Sequence, residues 1–441
     1  MALALAARIA VGPGELGYDA AWSLIWGRDL AAGELPDLET TAAPTPHPLS
    51  NALAVPLSIA GPDAASSALM ALSWLSLGAL GWGVARVGEA LFSWPVGLLA
   101  AALVLTREVV LEMTTGALVD LPFLALVVWA VLLEIRRPRR RAAVLALLGA
   151  AGLLRPEAWL LAGAYALWIL PGQEPSRRAS TVALVAGAPV IWALCDLALT
   201  GDPLHSLHGT QELAGEMDRP RGLATAVELA PEYIRDSLGP PAAPVAVAGT
   251  VAGVAMMRRV SALPCVLSAL GLTTFLALGV ADLPLLERYL LLPTVMLALF
   301  GALAALGWTA LPRGDGRRRA WQVGGCLALA LLALGVPRAA DDIGDLRSFL
   351  DERDQVRGEL RAALRVPATV SAARRCDAIA SEGYHRPFVI LWLDRPEDVV
   401  VREPPPSGET ALLLDYATEP AFPSARALYD GPRWSAAAVG C

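Results

Sequence analysis

Arg136-Arg137-Pro138-Arg139-Arg140-Arg141 lies between two apolar stretches, and the arrangement recurs at Arg177-Arg178, at Arg258-Arg259 and from Arg313 through Arg319. Arginine concentrated in short turns between apolar segments marks the cytoplasmic side of a membrane protein. With all four clusters inside, the acidic and histidine-bearing loops between them fall outside. The pattern predicts an α-helical polytopic protein of the plasma membrane. Its chemistry is expected on the outer face, fed by a substrate that the membrane itself delivers.

Composition agrees. Of 441 residues, 55% are hydrophobic and 17% charged, against about 25% charged in a soluble chain. Mean hydropathy is +0.52. All 35 basic residues are arginine. Without a lysine amine the chain can support neither Schiff-base catalysis nor a P-loop grip on nucleotide phosphates. A net charge of −7, with arginines confined to turns, is no nucleic-acid footprint. Cys195, Cys265 and Cys326 lie in apolar runs and read as packing residues. Cys376 and Cys441 lie in the polar C-terminal segment, where they are either a disulfide or two unrelated thiols.

A span needs about 20 apolar residues, fewer when partly buried in protein. Apolar segments fall at 1–12, 64–86, 93–107, 115–135, 142–154, 156–171, 180–199, 242–257, 262–281, 289–310 and 320–336. Eleven crossings with the N-terminus inside put every basic cluster in the cytoplasm and residues 337–441 outside. The first segment is too short to cross alone. It reads as the end of a longer helix rather than a signal peptide, since no basic n-region precedes it. The region 142–171 could be one kinked helix, but Arg177-Arg178 favours two short ones. The outer loops are then 13–63, 106–116, 200–241 and 282–288. In the tail, Asp341 to Arg365 has a charged helical pattern, while Phe388-Val389-Ile390-Leu391-Trp392 and Ala411-Leu412-Leu413-Leu414 read as strands of a small α+β domain.

Ionisable residues gather at the outer boundary. Trp22, Ile25, Trp26 and Asp29 share one helical face, ended by Gly33, and the tryptophans suit a helix lying flat at the membrane–water boundary. Asp19 opens that helix, either as a cap or as a carboxylate at the lip of a cavity. Pro44-Thr45-Pro46-His47-Pro48 makes a stiff loop that either presents His47 to a substrate or leaves it solvated. Asp120 begins an apolar span, where a carboxylate is costly unless it faces a cavity or a partner. Arg155 and Glu157 share a short outer turn, and Glu287-Arg288-Tyr289 opens the tenth span. These residues form either a structural ion-pair network or a phosphate site, since guanidinium grips phosphate in a bidentate fork. His205 and His208, with Asp202 and Glu212 nearby, leave a divalent metal open, although two surface histidines explain them as well.

Taken in order, these segments resemble the GT-C membrane glycosyltransferases, a superfamily that includes protein O-mannosyltransferases and lipid A aminoarabinose transferase. Tyr18-Asp19 followed by Gly27-Arg28-Asp29-Leu30-Ala31-Ala32-Gly33-Glu34-Leu35-Pro36 is similar to their first outer loop. Val119-Asp120-Leu121-Pro122-Phe123 resembles their second acidic site. Leu154-Arg155-Pro156-Glu157-Ala158-Trp159 and Glu287-Arg288-Tyr289-Leu290-Leu291-Leu292-Pro293 complete a likeness over residues 1–310. The resemblance implies a transmembrane catalytic domain over 1–336 and an extracytoplasmic domain over 337–441. It also implies sugar transfer from a polyprenyl-phosphate donor to a glycan, lipid or protein acceptor. By that likeness Asp19 is the general base and Asp120 assists it or positions substrate. Arg288 and Arg155 hold the departing phosphate, with Glu157, His47, Asp29 and Tyr289 as further substrate contacts. Where the family often has an acidic pair, this chain has Asp19-Ala20, which keeps Asp29, Asp37 and Glu39 open as alternatives. No motif requires a cofactor. A lipid-linked-glycan transporter is the main rival, and it would need mid-membrane polar residues and internal symmetry that the sequence lacks.

Overall fold

Each of the eleven apolar segments is helical. The computed structural model describes residues 2–38, 45–138, 140–402, 410–416 and 425–441; Glu39, Pro44 and Arg139 lie outside them. In chain order the first helices are α1 (Ala2–Val11), α2 (Tyr18–Ala32), α3 (Pro48–Ser58), α4 (Pro62–Leu91), α5 (Trp94–Leu105) and α6 (Glu108–Thr115). Then come α7 (Asp120–Arg136), α8 (Arg141–Gly152), α9 (Glu157–Ile169), α10 (Pro175–Thr200), α11 (His205–Glu216) and α12 (Leu223–Leu238). The helical body ends with α13 (Ala242–Met256), α14 (Arg258–Val280), α15 (Leu291–Leu306) and α16 (Arg317–Leu334). The region 142–171 is two helices, α8 and α9, as the arginine pattern favours.

Among the described residues, five helical stretches are long and apolar enough to cross a membrane, and seven if each of two bent pairs counts as one. The bent pairs are α6 with α7, turned by 115°, and α12 with α13, turned by 100°. Helices α1, α5, α8 and α9 are shorter. Almost all of α15 is buried, with Phe300 and Leu303 fully enclosed. By contrast α10 and α16 expose Leu194, Leu197, Val323 and Leu327. This is the expected division between a packed central helix and lipid-facing outer ones.

Hydrogen bonds sort the connections between helices into two ends. Arg136 reaches Glu89 at 3.1 Å, and Arg141 reaches Thr181 at 2.9 Å, tying the α7–α8 turn to the ends of α4 and α10. Ser93 bonds Thr309 at 2.6 Å, which brings the turn preceding Arg313 to the same end. At the other end, Leu49 N–H donates to the Leu153 carbonyl (3.2 Å), Arg107 donates to the Leu238 carbonyl (3.0 Å), and Gln211 donates to the Ala281 carbonyl (2.6 Å). The two long loops carry helices of their own, α2 with α3 and α11 with α12.

Beyond α16 the charged helix α17 (Val336–Arg365) leads through α18 (Pro367–Arg375) into a five-stranded mixed sheet of order β2-β1-β3-β5-β4. Its strands are β1 (Ala378–Ser381), β2 (Val400–Val401), β3 (Ala411–Tyr416), β4 (Arg426–Asp430) and β5 (Trp434–Val439). Strand β3 pairs parallel with β1, Ile379 opposite Leu412, and antiparallel with β5, Leu413 opposite Ala437. A disulfide joins Cys376 to Cys441, stapling the end of α18 to the residue that follows β5 and Gly440.

Two expectations are corrected. Phe388 to Trp392 is not a strand but part of helix α19 (Arg386–Leu393), the crossover between parallel strands β1 and β2. A short continuous apolar run has no periodicity to tell strand from helix; Pro387 at the first turn and Asp394 in a left-handed conformation at the end decide it. Nor do the tryptophans of α2 face a membrane surface. Trp22 and Trp26 are fully buried, packed in one core with Phe388, Ile390, Leu412 and Trp434 of the C-terminal unit. Burying each such side chain contributes about 1.5–3 kcal/mol. Gly33 does end α2, in a left-handed turn at φ 82°.

Candidate active site

Two glycines set the position of the first acidic residue. The segment between α1 and α2 runs extended against the break between α6 and α7. There Glu15 N–H donates to the Thr115 carbonyl and Gly17 N–H to the Gly116 carbonyl, both at 2.9 Å. A Cβ on Gly14 would come within 2.6 Å of the Thr115 oxygen, and one on Gly17 within 2.4 Å of the Gly116 oxygen. No other residue fits there. Ala117, at φ 53°, then turns the chain into α7. Asp19 and Asp120 are therefore carried by two helices that start just beyond one shared backbone pairing.

Asp120 is 3% exposed. Its Oδ1 lies 2.5 Å from Arg155 Nη2 and 3.8 Å from Arg288 Nε. Arg155 Nη1 is 3.8 Å from Glu157 Oε1. Both guanidinium groups stand over the Tyr289 ring, at 5.0 Å for Arg155 and 5.9 Å for Arg288. Ser237 donates to Glu287 at 2.7 Å and so steadies the turn that carries Arg288. Asp120, Arg155, Glu157, Arg288 and Tyr289, with Thr274 and Gly271 of α14, line a cavity of about 20 Å³, room for roughly one water.

The cluster is incompletely satisfied. Asp120 Oδ2, Arg155 Nε, Arg288 Nε and Glu157 Oε2 are buried without a hydrogen-bond partner among the described residues. Buried polar groups are normally paired, and each unpaired one costs about 1–3 kcal/mol. Several such atoms converging on one cavity make a site prepared for a polar ligand.

His47 belongs to this cluster and is not solvated. It is 9% exposed, stands edge-on to Trp192 with ring centroids 5.9 Å apart, and hydrogen-bonds the Leu154 backbone. Burial, reinforced by the Arg155 charge, pushes its pKa down to about 3. The ring is therefore neutral at physiological pH and adds no charge to the arginines. Trp192 is held in turn by Ser206, which is bonded to the buried Asp196. Neither Ser206 nor Asp196 announced itself in the sequence; only the Trp192 position in an apolar run hinted at it.

Asp19 sits half-buried in the first turn of α2. It makes no hydrogen bond and no ion pair among the described residues, and it does not cap the helix, whose N-cap is Gly17. Its charge is felt at Arg288, which places it on the rim of the arginine cluster. Asp29 is elsewhere. It pairs with Arg28 at 3.0 Å, and Arg28 continues to Asp394 and the Arg395 carbonyl in the C-terminal unit. Asp37 acts on Arg386 of that same unit. His208 is exposed and bonded to Asp202 at 2.7 Å. Among the described residues no group of three or more His, Cys, Asp or Glu side chains is arranged to share a metal ion.

The chain shares its fold with solved structures. It superposes on the crystal structure of ArnT from Cupriavidus metallidurans bound to undecaprenyl phosphate with a TM-score of 0.62 and 12% identity, covering 99% of this chain and 96% of that one. The apo structure of the same protein gives 0.61 and 13% over the same shares. No protein-family model and no curated protein matches the sequence.

Proposed function

We propose that the chain is a membrane glycosyltransferase that moves a sugar from a polyprenyl-phosphate carrier to an acceptor hydroxyl. The observation that carries this reading is the convergence of Arg155 and Arg288 on one cavity with unpaired donors, beside a carboxylate, Asp19, that has no hydrogen-bond or ion-pair partner among the described residues. In direct displacement the acceptor oxygen bonds to the anomeric carbon as the bond from that carbon to the phosphate oxygen breaks. Asp19 takes the acceptor proton, and polyprenyl phosphate leaves with the bonding pair. Such a step needs a base at the acceptor and fixed positive charge where phosphate departs. Arg155 and Arg288 supply the charge; Asp120 aligns them and gives ground when phosphate takes its place. Tyr289 backs both guanidinium planes, and Glu157 and His47 close the cluster without adding positive charge. The ArnT structure that contains undecaprenyl phosphate supports a donor of this class.

The sidedness follows the same reading. Eleven crossings with the N-terminus inside agree with the two-ended sorting of the turns, in which the Arg136–Arg141 turn and the start of α10 at Arg177 are tied together. The Cys376–Cys441 disulfide suits an oxidising exterior, which supports residues 337–441 as an outer domain on a catalytic domain of 1–336 in the plasma membrane.

The test is turnover of a panel of polyprenyl-phosphate sugars by the purified, lipid-reconstituted protein, wild type beside Asp19→Asn. Turnover of one donor, lost in a variant that still folds, is the expected result. Turnover that survives the substitution would move the base to another carboxylate. No turnover of any donor, with acceptors supplied, would sink the reading.

A further inference from the structure

A second cavity lies away from the arginine cluster and shares no lining residue with it. It measures about 730 Å³ and lies where α1 and the start of α4 meet α17 and α19, within the range of about 300–1,000 Å³ typical of ligand clefts. Its two ends differ in chemistry. Toward the helical body the walls are Leu5, Met70, Ala71 and Leu75. These walls merge with side chains open to the membrane, since Leu3, Leu5, Ile9, Leu72 and Leu75 are all exposed. An acyl chain can enter sideways from the bilayer without crossing water.

Toward the C-terminal unit the rim carries Arg8, Arg357 and Arg361 against Glu15 and Asp63, three positive charges to two negative. Arg357 is engaged with the Leu16 carbonyl and stacked on Phe388. Arg361 pairs with Asp63 and stands over Trp392 at 5.3 Å. Arg8 is exposed at the end of an apolar helix and has no ion-pair or hydrogen-bond partner among the described residues. Burial and a hydrogen bond with Asp354 raise the Glu15 pKa to about 7, which lowers the competing negative charge near neutrality. Trp74, bonded to the Pro13 carbonyl at 2.8 Å, and Trp392 mark the level where indoles sit at a membrane–water boundary.

We propose that this groove holds one anionic phospholipid, its acyl chain against α1 and α4 and its phosphate at Arg8 and Arg361. A water-soluble anion would leave the apolar wall bare, and a neutral lipid would leave Arg8 unmatched. The bound lipid would wedge the helical body against the C-terminal unit, so that the seating of that unit depends on the surrounding bilayer.

The test uses the full chain purified in neutral detergent and incubated with phosphatidylglycerol or phosphatidylcholine, with retained lipid counted by native mass spectrometry. Wild type should keep one phosphatidylglycerol. Ala71→Trp, at an exposed groove position, should reduce its retention at least tenfold. Arg8→Gln should abolish the preference for phosphatidylglycerol over phosphatidylcholine. Equal retention by Ala71→Trp and wild type, or none by wild type, overturns the proposal. A phosphatidylglycerol with a diazirine in its chain guards against misfolded variants, because it interrogates the unmutated protein. Crosslinks should fall on peptides containing 63–75 or 388–392; labelling confined to lipid-facing α10 overturns the proposal as well.

Discussion

Two arginine–carboxylate clusters flank the start of α2, and they use the same residue types to opposite ends. In one, Arg353 and Arg357 close on Glu15 at 3.4 and 3.3 Å. There Arg357 donates to the Leu16 carbonyl at 2.6 Å and stacks 3.8 Å from the Phe388 ring centroid. Its Nη1 and its guanidinium face join the C-terminal unit to the helical body, and its Nε, like that of Arg353, is left without a hydrogen-bond partner among the described residues. In the other, Arg288 makes no hydrogen bond among the described residues and lies 3.8 Å from its nearest carboxylate oxygen. The first arrangement is a joint held by bonds already made. The second is an unfinished shell, and unfinished buried polarity persists where a ligand completes it.

The sharpest way to break this contrast is Arg288→Gln. Losing one donor aimed at a developing charge costs roughly 10²–10³-fold in turnover, and the thermal midpoint should stay near that of wild type. A large drop in the midpoint instead would make the two clusters equivalent. Arg357→Gln is its counterpart. Removing one partner of a buried pair costs about 3–5 kcal/mol, seen as an earlier unfolding midpoint and faster proteolytic release of the C-terminal unit, with turnover per folded molecule retained.

The pH responses differ in sign. Glu15 binds its proton more tightly folded, about 7 against 4.5, so its contribution is complete below 4.5 and is lost as pH rises through 7. Proteolytic release should therefore quicken between pH 6 and 8, and Glu15→Gln should flatten that rise. His47 behaves conversely, with its folded value of about 3 below the ordinary 6.5. Its contribution is present above 6.5 and fades as pH falls toward 3. The smallest expected effect is a gentler acid loss of stability in His47→Leu, read from thermal midpoints between pH 6.5 and 4.

Much of the fold was legible because lipid imposes a simple code. Long apolar runs became helices, and arginine marked their turns. The cluster of Asp120, Arg155, Glu157 and Arg288 was legible too, because charge at the edge of an apolar span is costly enough to need a reason. What the sequence hid was long-range. His47 looked equally suited to solvent, since only the fold brings the Leu153-Leu154 turn against it. Trp22 and Trp26 looked like membrane anchors because the surface that buries them, α19, is more than 350 residues later in the chain. Phe388 to Trp392 could not be assigned from its own five residues. Asp29 pairs with Arg28, which reaches on to Asp394, and Asp37 acts on Arg386 of the C-terminal unit, relations that span hundreds of residues and so left no local trace.

The pairing of Gly17 with Gly116 has a bearing on how such a chain can be altered. It works as a register mark, fixing where two helices start counting. One residue inserted between Gly17 and Asp19 would swing the carboxylate about 100° around α2 while deleting no acidic group at all. A family drifting in sequence could therefore exchange nearly every side chain around its cavity and keep its geometry, as long as the backbone crossing stayed free of Cβ atoms. Libraries aimed at reshaping the cavity should leave that crossing untouched and spend their diversity on Thr274, Tyr289 and the walls beyond them.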